Sequence, residues 1–93
     1  QITYWQEIPS QVDGHEPGGA VHRQPLGARF QELIDIAAAR RGLAGSDAYL
    51  EGWARGPMEP AEGTAAEAAT RVAAELEARF EEIRAAALAR RAS

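Results

Sequence analysis

Between Arg29 and Trp53 the chain reads RFQELIDIAAARRGLAGSDAYLEGW. This stretch constrains the fold more than any other, because its apolar period, a stop signal and a restart signal coincide. Phe30, Leu33, Ile34, Ala37 and Ala38 recur at three-and-four spacing, which puts them on one helical face, with Gln31, Glu32, Asp35 and Arg40 off it. Gly42 follows the last periodic residue and can take the left-handed conformation that closes a helix, while Arg40 and Arg41 set cations at the negative end of the helix dipole. Ser46 then predicts a second start. Its hydroxyl is placed to accept from a first-turn amide, Asp47 adds negative charge there, and Tyr49, Leu50 and Trp53 are expected on one face. The expected unit is helix, tight turn, helix.

At 93 residues there is room for one domain, which buries only about two-thirds of the surface its unfolded form exposes. With no cysteine, stability has to come from helix packing, a ligand or a partner that covers apolar surface. A reducing, cytoplasmic setting fits that composition. No run reaches the roughly 20 apolar residues of a membrane span, so no membrane association is expected. The opening QITYWQEIPS has neither the basic segment nor the apolar run of a secretory signal, and a start at Gln1 predicts an initiator Met and further residues upstream. Net charge is −4. The ten basic residues, at 23, 29, 40, 41, 55, 71, 79, 84, 90 and 91, form no long run and are not interleaved with stacking aromatics. Nucleic acid is therefore not expected as a partner.

Taken in order, Ile2 to Val12 begins with aromatic and β-branched residues, so a strand is expected in its first half, with Ile2 and Tyr4 on one face and Thr3 and Trp5 on the other. Pro9 lacks the ladder donor and should make this an edge strand, or bend or end it at Ile8. DGHEPGG, residues 13–19, reads as a reversing loop, and Ala20 to Gln24 as a short returning strand. Gly27 is a weak cap for the first helix. After Trp53, the prolines and glycines of ARGPMEPAEG describe a surface connection. Thr64 and Glu67 then match a capping box, and Val72, Leu76, Phe80, Ile83 and Ala87 form the stripe of a final helix of about 40 Å. That seam either closes back over Phe30, Ile34 and Trp53 or is offered to another chain. The expected architecture is α+β: residues 1–56 a β-hairpin packed on a helical pair, 57–63 a linker, and 64–93 a long C-terminal helix in the same structural unit.

Few residues of the chain fall in a pattern that carries chemistry. His15 and His22 fall in or beside the expected hairpin loop with Asp13 and Glu16 nearby, but without helical metal-ligand spacing, so no metal is expected. Glu75, Glu77, Glu81 and Glu82 alternate with arginines as a solvated face, Glu75 pairing with Arg79. No serine lies in a nucleophile motif, and HEPGGA lacks the Lys and Ser/Thr of a phosphate loop. No catalytic residue and no cofactor are assigned. Tyr4, Trp5, Tyr49 and Trp53 are the notable set. Tyr4 and Trp5 cannot both point inward from one strand, and an exposed Trp or Tyr is what an interface uses.

The ordered residues Tyr4, Trp5, Ile8, Pro9, Gln11, Val12, Arg29, Phe30, Asp47, Ala48, Tyr49, Leu50 and Trp53 resemble a small bacterial domain family named "virulence factor", with Gly27 where a proline is expected at the helix start. The resemblance spans Ile2 to about Trp53. It implies no catalytic residue, and it implies an accessory role beside proteins of folate- and corrinoid-linked one-carbon transfer. The expected function is a non-catalytic accessory or interaction subunit, cytoplasmic, in a hetero-complex or homodimer. Its expected contacts are Tyr4, Trp5, Gln11, Arg29, Asp47, Tyr49 and Trp53, with Leu76 and Phe80 on the last helix. The rival is an enzyme component helping to form a pocket for a flat, pterin-like ligand at a subunit interface.

Overall fold

The structure is a computed structural model in which residues 1–89 are described. Its strands are β1 (Ile2–Trp5), β2 (Ile8–His15), β3 (Val21–Pro25) and β4 (Trp53–Arg55); its helices are α1 (Ala28–Arg40), α2 (Asp47–Glu51), α3 (Ala65–Ala78) and α4 (Phe80–Ala89). The strands form one antiparallel sheet in the order β3, β2, β1, β4, and the class is α+β as expected.

Helix α1 matches its period residue for residue: Phe30, Leu33, Ile34, Ala37 and Ala38 are its buried positions. Gly42 takes φ 71°, the left-handed value that its position after the helix requires. The sheet departs from expectation. Instead of one strand ending near Ile8, the chain reverses tightly at Gln6 and Glu7, and Gln6 adopts a positive φ of 52°. Nothing in a Gln-Glu pair signals such a turn; tertiary partners hold it. The Gln6 N–H donates to the Gly52 carbonyl at 2.7 Å, and the Arg41 guanidinium reaches the Gln6 side-chain oxygen at 2.5 Å.

Pro9 lies inside β2, a central strand, without breaking the ladder. Tyr4 faces Pro9 while Thr3 faces Gln11, so Ser10 is the extra residue of a β-bulge, and β3 pairs only from Gln11 onward. The loop from β2 to β3 is correspondingly shorter than expected, because Asp13 to His15 belong to β2.

Trp53 is not on the second helix. That helix ends after five residues, and Trp53 opens β4, paired with Trp5 on β1. Ser46 occupies the cap position, but its hydroxyl donates back to the Leu43 carbonyl at 2.6 Å and makes no cap hydrogen bond. The Thr64–Glu67 capping box forms as expected.

The long final helix is broken at Arg79. A physical cause is visible: the Glu77 carbonyl, which residue 81 would satisfy in an unbroken helix, accepts from the Arg29 guanidinium at 2.7 Å. The break turns Phe80 edge-on to Phe30, ring centroids 5.0 Å apart. The seam thus closes on its own core. Phe80 and Ala87 are buried, and Val72, Leu76 and Ile83 pack beside them. The pairing expected for Glu75 and Arg79 is replaced by Arg79 with Glu82 at 3.3 Å, whose hydrogen bond and charge raise the Arg79 guanidinium above its ordinary value. Residues 90–93 of the expected helix lie outside the described residues.

One core results. Trp5, Ile8 and Val12 from the sheet meet the α1 face, Ala69 and Ala73 of α3, and Phe80 and Ala87 of α4. Helix α3 lies so close to β2 that a Cβ at Gly14 would run into the Ala65 carbonyl.

Candidate interaction surface

Near the C-terminal end of α1, three aromatic rings stand in series. Trp5 is fully buried, and its indole N–H donates to the Tyr49 carbonyl at 2.8 Å. Its ring centroid lies 5.6 Å from that of Tyr49, which meets Trp53 edge-on at 6.3 Å. Tyr49 and Trp53 are half-buried. Gly52 fits this arrangement only because it has no side chain, since a Cβ there would lie 2.6 Å from the Trp5 Nε1. Beneath the indole, Arg41 is a buried strut. It spans Glu7 at 2.6 and 2.7 Å, Gln6 and the Ala87 carbonyl, with its Cζ 5.7 Å from the Trp5 ring. Leu50 was expected to share the face of Tyr49 and Trp53, yet it is 66% exposed.

The same region ends in a free sheet edge. Gly56 N–H donates to Ile2 and Gln6 N–H to Gly52, each at 2.7 Å, with Tyr4 facing Ala54 between them. By the alternation of antiparallel ladders, the N–H and C=O of Trp53 and Arg55 therefore point away from β1. They meet no backbone partner among the described residues. The opposite edge differs. On β3 the outward positions are Val21, Arg23 and Pro25, and Pro25 has no N–H to offer.

At the N-terminal end of α1, side chains satisfy one another. Gly27 provides no side-chain cap; instead the Glu77 carboxylate accepts the Gly27 N–H at 2.7 Å and pairs with Arg29 at 3.1 Å. Glu77 was expected on a solvated face, so this long-range cap is a correction. The Arg29 guanidinium lies 4.4 Å over the Phe80 ring, which is itself buried.

Of the residues singled out from the sequence, Trp5, Tyr49 and Trp53 come together, with exposed Asp47 in the first turn of α2. Arg29, Leu76 and Phe80 belong to the other end of α1, about 18 Å along its axis at 1.5 Å per residue. These two groups are not one surface. Tyr4 lines a third feature, an open cleft of about 630 Å³ between β1, β2, the 57–63 connection and the start of α3. Asp13, 5% exposed, also lines it; Gln11 donates to the Asp13 carboxylate at 2.8 Å, and Glu16 accepts the first amide of α3. His15 and His22 are exposed, and no cluster of three or more potential metal ligands exists among the described residues. No helix among them is long and apolar enough to cross a membrane.

The order of strands and helices, the two aromatic corners and the motif residues all lie within one match: a family model described as "Virulence factor" covers residues 3–89. The chain belongs to the virulence factor family. No curated protein and no solved structure matches it. In this family member the match runs past Trp53, where the recognisable motif residues end, and takes in α3 and α4. The last two helices are therefore part of the family domain. Sequence reasoning missed Leu50 as an exposed group, Glu77 as a cap and Arg41 as a buried strut, because each is defined by partners distant in sequence.

Proposed function

We propose that this domain is a non-catalytic accessory or interaction subunit of a larger bacterial protein assembly, meeting its partner through the face built by α2 and β4. One observation carries the reading: a strongly exposed Leu50 stands beside half-buried Tyr49 and Trp53 at an open strand edge. A single exposed leucine is unremarkable by itself, but aromatic anchors combined with unpaired edge groups are what a protein contact uses. The family resemblance directs the search to assemblies of folate- and corrinoid-linked one-carbon transfer. The test is purification of the tagged chain at native level from its host, beside Leu50→Glu. A protein recovered in fixed ratio with the parent chain and lost with the variant is the expected outcome. Recovery of no protein above background, neither another chain nor an untagged copy of this one, or equal recovery with both, would remove the proposal.

A second reading is favoured by the cleft. Its volume falls in the range of small-molecule sites, and Tyr4 and Asp13 are in its lining. Under this reading a flat, pterin-like ligand lies against Tyr4. Titration with a reduced pterin to about 1 mM should then move the amide resonances of Tyr4, Asp13 and Ala65 selectively. Unmoved resonances would reject it.

A further inference from the structure

We infer that the occupant of the β4 edge is a second copy of this chain, joined antiparallel about a two-fold axis at Ala54. The inference rests on the reading of the α2 and β4 face as the contact surface, and it names what sits there. The outward N–H and C=O groups belong to Trp53 and Arg55, two residues apart with Ala54 between them. Antiparallel pairing about Ala54 sets Trp53 opposite the second copy's Arg55 and Arg55 opposite the second copy's Trp53. In that register every outward donor meets an outward acceptor, as a self-complementary contact requires.

The side chains agree with this register. Trp53 and Arg55 project from the same face of the strand, so each guanidinium comes to lie against an indole of the other copy and not against a like charge. At the axis two alanines face each other, small enough for close approach. Leu50 and Met58, 66% and 59% exposed, flank β4 in the chain and supply apolar surface to a contact whose hydrogen bonds alone are few. The β3 edge is less suited, because Pro25 removes a donor from it and Arg23, at its middle outward position, would stand opposite Val21 with no aromatic ring to receive the cation.

The test uses the purified chain, followed by light scattering from about 1 μM to about 1 mM, a span that captures weak dimers. The mass should rise from 10.0 kDa toward twice that value. Arg55→Pro removes an N–H that β1 does not use, so the variant should keep its fold and its single-copy mass. Hydrogen exchange on the parent chain supplies a readout independent of any variant: the Trp53 and Arg55 amides should gain at least about tenfold protection at the high concentration, and those of Val21 and Arg23 none. A single-copy mass throughout with unprotected Trp53 and Arg55 amides would overturn the inference, as would a dimer that Arg55→Pro leaves intact. If the chain is monomeric while Leu50→Glu still loses a different protein in the host, self-pairing alone is lost; if neither association is seen, the contact surface falls with it.

Discussion

The two ends of α1 carry similar residues and opposite outcomes. At the N-terminal end, Arg29, Phe30, Glu77 and Phe80 combine a cation, two aromatics and a carboxylate, and each group finds its partner within the chain. At the C-terminal end, Trp5 is buried on Arg41, but Tyr49 and Trp53 are only half covered and Leu50 is mostly exposed. Composition does not separate a closed corner from an open one. Only the long-range geometry does, and it makes the two ends differ in what a substitution disturbs: stability at the first, association at the second.

Phe80→Ala should have the largest effect, about 3–5 kcal/mol of destabilisation by denaturant titration, because it opens a cavity against Phe30 at the closed end. A loss below about 1 kcal/mol would mean that this corner is not packed as described. Gly52→Ala probes the join between the buried and open parts of the other end. Its new methyl meets the Trp5 indole, so about 1–3 kcal/mol should be lost, with a change in near-ultraviolet circular dichroism from the displaced tryptophan. Glu77→Ala removes the acceptor for Gly27 and the partner of Arg29. Most of the expected loss of about 1–2 kcal/mol comes from the cap, because the ion pair is substantially exposed. Leu50→Glu should change stability by less than about 0.5 kcal/mol while abolishing association, the signature that separates the open end from the closed one.

How far the sequence could be read follows the reach of the interactions involved. Helix α1, the glycine that ends it and the Thr64 capping box are set by neighbours a few residues away, and all three were legible. The tight turn at Gln6, the strand at Trp53 and the break at Arg79 were not. Each is held by residues more than thirty positions distant: Gly52 and Arg41 for the turn, Trp5 for the strand, and Arg29 for the break. For the candidate surface, the aromatic residues stood out by type, but their division between core and surface depended on where Gly52 lets the chain cross Trp5. The same limit applies to Leu76 and Phe80, a seam that could close on the core or serve another chain: the break at Arg79 turns Phe80 onto Phe30 of α1, and Leu76 packs partly buried against the core.

Which end of α1 meets a partner is read most directly by oxidative footprinting of the chain in its native complex against the purified chain at low concentration. Leu50, Trp53 and Met58 should lose reactivity in the complex, while Phe80 and Leu76 react equally little in both. Protection at Leu76 and Phe80 with unchanged Leu50 and Trp53 would contradict this, and would place the contact at the end of α1 that the fold closes on itself.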